Sequence, residues 1–245
     1  MYGTVEGTIT VRNVVSGPAP REAAARISDQ DVAYATDVLR KLPRLTKALV
    51  YTPPETSADH YFLNDPAPPA FAFQLYFAAI EHLEDVLRPD GALQQLAQPD
   101  ALPSLHGAKV THQAMVCRPY PVDEPRPQTA AGGLPCSYLV HYPGTAHDMN
   151  AWNAYYCDHH PQLMRTFPGI RTIELYTRLD WCSFMPWERV DYMQRNKLMF
   201  DDPAALSASA RSPTMARMRA DYAKFPEFSG GNVHYPMLTR EVAPS

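Results

Sequence analysis

The chain has 245 residues, of which 45% are hydrophobic and 20% are charged, enough to bury a substantial core in one long or two short domains. Its 22 basic and 26 acidic residues give a net charge of −4, without the basic excess that holds nucleic acid or anionic lipid. No window approaches the roughly 18–20 apolar residues of a membrane span, and residues 1–6 lack the basic start of a signal peptide. We therefore expect a cytoplasmic protein with neither a nucleic-acid nor a membrane partner.

The first half of the chain predicts six elements in the order βαββαβ. Runs that alternate apolar and polar residues indicate strands, and apolar residues three or four apart indicate helices. The strands are predicted at residues 7–14, 45–51, 71–77 and 110–117, and the helices at residues 29–41 and 80–87.

The second half predicts the same order. Residues 137–142 form an apolar run closed by a Pro-Gly turn, which predicts a strand. Residues 148–160 place apolar side chains three, four and seven apart, which predicts an amphipathic helix that Pro161 ends. The remaining elements are strands at residues 170–178, 190–200 and 233–242 and a helix that opens at Asp202-Pro203.

An internal repeat relates the two halves. Residues 39–52 align with residues 164–177 at an offset of 125, with identities at an Arg, a Pro and a Tyr-Thr pair. Between the halves, proline, charged residues and a Gly-Gly pair give a segment with the composition of a linker. The predicted domains are residues 1–120, a linker over 121–135, and residues 136–245. Each domain is an α+β unit of the ferredoxin-like, split-βαβ type.

Three motifs of the second half carry a family resemblance: YYCDHHPQL at residues 155–163, FPGI at 167–170 and LMFDD at 198–202. They resemble the EthD-like branch of the dimeric α/β-barrel superfamily, to which the first half is related only through the repeat. The resemblance implies that the two antiparallel sheets face each other and form an intrachain barrel with a cavity. It also implies binding of aromatic or polyketide-like molecules, and cofactor-free decarboxylase, dehydratase, cyclase or oxygenase chemistry.

Two adjacent histidines compete for the histidine of the family motif. His160 has the family spacing to the following Leu and Pro-Gly, whereas the distance to Pro161 favours His159. At 100° per residue His160 falls on the apolar side of the helix with Trp152, and His159 lies some 60° away. His160 is therefore the predicted general acid–base, against the alternative of a structural histidine, and His159 is a predicted supporting or solvent-facing residue. The offset of 125 puts Ala35 opposite His160, which predicts a single pocket per chain.

Strand alternation predicts which further side chains face the cavity. If Ile173 and Leu175 face the helices, their neighbours on the strand point the other way, and the repeat extends this to the first half. The facing of His141, on the first strand of the second half, is left open. The candidates are His141 and Tyr176 for proton transfer, Arg178 or Arg195 for a carboxylate, and Glu174, Tyr51, Tyr156 and Trp152 as cavity lining.

Cofactor motifs are not found in the sequence. The four cysteines are widely spaced with no C-x-x-C pair, and His159 and His160 point apart on a helix, unlike the i,i+4 pair of a zinc helix. There is no phosphate loop, dinucleotide fingerprint or G-x-S-x-G elbow. We predict no metal and no cofactor.

The functional hypothesis is a cofactor-independent lyase, a decarboxylase or dehydratase, acting on an aromatic or polyketide-derived acid. His160 with Tyr176 or Tyr156 would move the proton, and Arg178 or Arg195 would bind the carboxylate. One alternative is a cofactor-free oxygenase, which needs no additional residue. The other is a non-catalytic protein that binds an aromatic ligand. A homodimer is also predicted as possible, through exposed strand edges.

Overall fold

The computed structural model describes residues 5–12, 26–55 and 68–245, and only the backbone of residues 5–12. The first half contains β1 (Val5–Arg12), α1 (Asp29–Arg40), β2 (Leu45–Thr52), β3 (Phe71–Phe77), α2 (Ile80–Val86) and β4 (Lys109–Tyr120). The second contains β5 (Cys136–Tyr142), α3 (Met149–Met164), β6 (Thr172–Arg178), β7 (Glu188–Arg189), β8 (Gln194–Phe200), α4 (Pro203–Ala210), α5 (Pro213–Tyr222) and β9 (Val233–Val242). The predicted α+β class is confirmed, although residues 13 and 14 of the first predicted strand lie outside the described residues.

The strands pair side by side into one ring. The order is β1-β3-β2-β9-β5-β8-β6-β4, and β4 also pairs with β1, so the described pairings close on themselves. Within each half the order of its four main strands is that of a ferredoxin-like sheet: β4-β1-β3-β2 in the first and β9-β5-β8-β6 in the second. The antiparallel pairs β2–β9 and β4–β6 join the halves. The end strands of each half therefore pair with the other half and not with a second copy of the chain. The homodimer prediction rested on exposed strand edges, and these paired strands do not support it.

Alternation along the strands separates an outer and an inner set of side chains. Outward residues of the first half pack beneath α1 and α2, and those of the second half beneath α3, α4 and α5. Ile173 and Leu175 belong to the outer set, as predicted, and Tyr176 belongs to the inner one. Inward residues, among them Tyr51, Tyr176 and Tyr235, form a third cluster inside the ring.

The interior of the ring is held by a buried charged network. One carboxylate oxygen of Glu174 accepts hydrogen bonds from Tyr76 (2.7 Å) and Tyr176 (2.5 Å) and lies 2.6 Å from the ammonium of Lys197. Burial alone would raise the pKa of Glu174, but the charges of Lys197 and Lys47 and these hydrogen bonds hold it at about 2. Since Tyr76 comes from the first half and Glu174 from the second, the network ties the halves together.

Two predictions about the second half are corrected. The predicted strand at 190–200 is shorter in the structure, because β8 begins only at Gln194, and the two-residue β7 lies just before the predicted range. Helix α3 does not end at Pro161 but continues to Met164. Proline has no N–H to donate to the carbonyl of Cys157, four residues back. The hydroxyl of Tyr120 donates to that carbonyl instead, at 3.2 Å, so the helix tolerates the proline.

Breaking the interior ion pair should destabilise the fold strongly. Lys197→Met leaves the buried carboxylate of Glu174 without its nearest cation, so we expect a loss of about 3–5 kcal/mol in the free energy of unfolding. The measurement is denaturant unfolding. Lys41→Met is the matched control, because it removes an exposed i,i+4 pair with Asp37 and should cost about 0–1 kcal/mol.

The double variant Glu174→Gln/Lys197→Met removes both charges and should recover part of the loss. Similar small losses for Lys197→Met and Lys41→Met would contradict the structural role of the pair.

Candidate functional site

A cavity of about 480 Å³ lies on the outer face of the second half's sheet. Its floor comes from β5, β8 and β9, and its roof from α3 and α5. This volume lies within the range of small-molecule sites, and the lining is mainly aromatic and apolar with a few polar groups. The lining residues are Tyr138, Val140, Tyr142, Tyr156, His160, Met164, Phe167, Asn196, Leu198, Met215, Met218, Arg219, Tyr222, Asn232 and His234.

His160 reaches the cavity because α3 has one buried stripe. The helix starts at Asp148, whose carboxylate accepts hydrogen bonds from two backbone N–H groups of the first turn. Trp152, Tyr156 and His160 then follow four residues apart and are all buried. The Trp152 ring packs behind Tyr156, with 4.9 Å between centroids, and is not part of the lining itself.

An Asp–His pair is the main chemical feature of the site. His160 Nδ1 lies 2.6 Å from Asp221 Oδ2, and the hydroxyl of Tyr155 donates to the other oxygen of Asp221 at 3.0 Å. The Phe225 ring meets the imidazole edge-on, at 4.9 Å between centroids. Asp221 therefore orients the imidazole through Nδ1–H and leaves Nε2, which has no hydrogen-bond partner within the described residues, to act on a ligand.

Electrostatics favour a neutral imidazole. Burial lowers the pKa of His160, and the hydrogen bond and charge of Asp221 act in the opposite direction without cancelling the shift. A neutral His160 carries a lone pair on Nε2 and can accept a proton. Once protonated, the imidazolium would be stabilised by the carboxylate beside it.

Two buried phenols lie beside the imidazole. The side-chain amide of Asn196 donates to the hydroxyl oxygen of Tyr156 at 2.5 Å, and Asn232 also lines the cavity. The two hydroxyl oxygens are 3.5 Å apart. Burial raises the pKa of both phenols, so they stay protonated at neutral pH. Because the Tyr156 oxygen already accepts from an amide, an O–H of the pair is left to donate to a ligand oxygen.

Only part of the predicted site set lines this cavity. His160 and Tyr156 do, and Trp152 supports them. Five other predicted residues point into the ring, on the opposite face of the sheet: Tyr176, Glu174, Tyr51, His141 and Arg195. Alternation was predicted correctly, but the cavity lies on the helix side, because the interior is filled by the side chains of the network.

The individual surroundings confirm this separation. The hydroxyl of Tyr51 donates to Gln74 at 2.6 Å, and the His141 ring packs against Tyr235 at 5.4 Å between centroids. The guanidinium of Arg195 lies 4.8 Å from the centre of the Tyr192 ring. The catalytic and binding roles assigned to these side chains remain predictions.

Two predicted residues are on the surface. His159 is exposed, and its ring stacks on Tyr155 while Nδ1 lies 2.8 Å from the Tyr155 carbonyl. Arg178 is exposed and pairs with Asp191 at 3.0 Å. Neither lines the cavity, so the helix arithmetic that separated His159 from His160 agrees with the structure.

The corresponding space in the first half is filled. Ala35, which aligns with His160, is fully buried in an apolar cluster against β2 and β3. Trp181 and Trp187, from the segment between β6 and β8, also pack onto that cluster, and both contact the ring of His112 edge-on. Burial lowers the pKa of His112 to about 4. The prediction of one pocket per chain is consistent with this packing.

Asp221 and several of the lining residues missed from the sequence are on α5. Asp221 is 61 residues beyond His160 in the chain, and no local pattern links them. The helix itself has a readable signal, because Ser212-Pro213 repeats the capping residue and first-turn proline that marked Asp202-Pro203. Asn196 was overlooked because it lies on the opposite face of its strand from Arg195, the residue of that strand that sequence reasoning chose.

Two negative findings concern the described parts of the chain. Within residues 5–12, 26–55 and 68–245, no group of three His, Cys, Asp or Glu residues is placed to hold a metal ion. Over those same ranges, no helix is both long and apolar enough to cross a bilayer.

Comparison with solved structures identifies the fold. An anthrone oxidase-like protein superposes with a TM-score of 0.58 at 10% identity, covering 99% of this chain and 94% of its own. Proteins named as monooxygenases superpose similarly: one from Fusobacterium nucleatum (0.57, 6% identity, 99% and 96% covered) and one from Lactobacillus acidophilus (0.55, 8%, 98% and 96%). These are dimeric α/β-barrel proteins, and the likeness shows that this chain has their fold. No family model and no curated protein sequence matches the chain.

The lyase prediction is wrong in the light of these neighbours. The three solved structures compared above are named for oxidation and not for decarboxylation or dehydration. The error has a chemical reason. Decarboxylases and cofactor-free oxygenases both need a base, a donor for a developing oxyanion and a dry aromatic cavity, so the same residue types fit either reaction.

Asp221 should control the titration of His160. Asp221→Asn removes the carboxylate that raises the imidazole pKa against burial, so we expect the pKa of His160 to fall further, followed by NMR titration of the histidine ring. Tyr155→Phe is the control, because it removes the other hydrogen bond to Asp221 and keeps the His160 contact. An unchanged His160 titration in Asp221→Asn would disprove the electrostatic role of this pair.

Proposed function

We propose that this protein is an oxygenase that oxidises a hydroxyaromatic or anthrone-type substrate in the cavity between the sheet and α3 and α5. The observation that carries the proposal is the His160–Asp221 pair opening onto an aromatic cavity. The names of the three solved structures support oxidation as the reaction class. Enzyme status and an aromatic substrate are parts of this proposal.

His160 acts as the base. Its neutral Nε2 takes a proton from the activated C–H or O–H of the substrate, and Asp221 stabilises the resulting imidazolium. An O–H of the Tyr142–Tyr156 pair donates to the substrate oxygen on which negative charge develops. The resulting electron-rich anion reacts with O₂ as the oxidant.

For an anthrone the reaction balances without a further reductant. The ring CH₂ becomes C=O, so one oxygen atom forms the new carbonyl and the O–O bond breaks. The two hydrogens of the CH₂ leave with the other oxygen atom as water.

We also propose that the two halves are copies of one βαββαβ unit, as the sequence repeat suggests. The matching strand order in the halves supports this reading. On this view residues 1–120 are the degenerate copy, residues 136–245 carry the site, and residues 121–135 connect them. Membership of the EthD-like branch stays a prediction from the motifs in residues 155–202.

The first test is turnover by purified protein. Anthrone and related hydroxyaromatic compounds are supplied with O₂ as the only oxidant, and oxygen uptake and quinone absorbance are recorded. His160→Ala should lower kcat by about 10²–10⁴ without unfolding the protein, since the base is lost and the apolar side of α3 remains. His159→Ala, one residue away and exposed, should have little effect.

Other outcomes decide against the proposal. Binding without oxygen uptake would favour a non-catalytic aromatic-binding protein. Equal, small losses for His160→Ala and His159→Ala would overturn the assignment of the base. A lower thermal midpoint for His160→Ala, with activity falling only in step with folded protein, would show that His160 is structural.

The pH dependence follows from the neutral base. Because burial lowers the pKa of His160 below 6.5, kcat/KM should be constant at and above neutral pH and fall on acidification below pH 6.5, as the imidazole takes up a proton. Initial rates from pH 4.5 to 8 give the profile, corrected for the folded fraction at each pH. A rate that rises on acidification would contradict a histidine base.

A further inference from the structure

Arg219 is a cation at the cavity whose partner is not supplied by the described residues. It lies on α5, lines the cavity and is exposed. No carboxylate within the described parts of the chain pairs with its guanidinium. Arg217, two residues earlier on the same helix, contrasts with it: Arg217 donates to the hydroxyls of Thr166 and Thr214 and does not line the cavity.

The cavity lining contains one permanently charged side chain, Arg219, and no Asp or Glu. Asp221, the carboxylate nearest to Arg219 in the sequence, forms hydrogen bonds with His160 and Tyr155. A site of this kind favours an anion, because the guanidinium of Arg219 has no acceptor of opposite sign among the lining side chains.

The polar groups also differ in depth. Tyr142 and Tyr156 are buried at the sheet side with hydroxyls that can donate to a neutral or developing oxygen, whereas Arg219 is exposed on the helix side. A substrate that fits both would place its carbonyl or phenol oxygen inside and its charged group at the opening, where the charge keeps part of its hydration.

We infer that Arg219 binds a carboxylate on the substrate, so that the cavity selects acidic aromatic molecules over neutral ones. This inference rests on the proposed function for the reaction, but the binding preference can be measured without turnover. The planar guanidinium suits a carboxylate because it can donate two parallel hydrogen bonds. Arg219 is thereby a specificity-determining residue, a role that the sequence analysis predicted for Arg178 or Arg195.

The test is anaerobic binding of two fluorescent probes that differ in one group: 9-anthracenecarboxylate and 9-anthracenemethanol. We expect wild type to prefer the carboxylate. Arg219→Gln should weaken carboxylate binding about tenfold and change affinity for the alcohol less than about twofold, while Arg219→Lys should be intermediate. Arg217→Gln is the matched control and should leave both affinities unchanged. The carboxylate preference should also shrink with added salt.

Three results of this experiment would overturn the role of Arg219. Absence of a carboxylate preference in wild type, or equal weakening of both probes by Arg219→Gln, overturns it. A role limited to the last turn of α5, where a cation offsets the helix dipole, predicts a lower thermal midpoint with the preference retained, and this also overturns it. Oxygen uptake is measured separately: a selective protein without oxygen uptake supports the Arg219 inference and rejects the oxygenase proposal.

Discussion

The arrangement of this protein depends on one buried interaction, the contact of Glu174 with Lys197 and two tyrosines inside the ring of strands. An eight-stranded ring is just wide enough for side chains to fill, and a buried carboxylate is tolerated only with cations and donors around it. The donors come from strands of both halves. The network therefore favours a single way of joining β3 of the first half to β6 and β8 of the second.

The filled interior decides where a ligand can bind. Each strand has two faces, and β8 uses both: Lys197 points into the ring, while Asn196 and Leu198 point outward to the cavity. A one-residue slip of this strand would exchange the two sets. The register of β8 that brings Lys197 to Glu174 also places Asn196 beneath Tyr156. The stability of the ring interior and the geometry of the site therefore depend on the same strand register.

Much of the fold was predictable from local patterns. Apolar spacing located the main strands and helices within a few residues. The angular positions on helix α3 correctly identified His160, and not His159, as the buried histidine. What the sequence could not provide was the side of the sheet that holds open space. Alternation correctly placed Glu174 and Tyr176 on the same face of the strand. Whether the space inside the ring is filled or empty depends on the packing of all eight strands. Asp221 was missed for a similar reason, since only the tertiary packing of α5 on α3 brings it to His160.

The two halves show how one scaffold serves two purposes. Where the second half has His160, the first has Ala35, and its outer face is closed by α1, α2 and the tryptophans of the β6–β8 segment. Those tryptophans come from the second half, so this half provides the cavity and also helps to fill the corresponding space in its neighbour. An open cavity forgoes part of the apolar packing that stabilises a domain of this size. A filled first half that pairs with β6 and β9 supplies rigid support at both edges of the second sheet, which allows one cavity to be kept open.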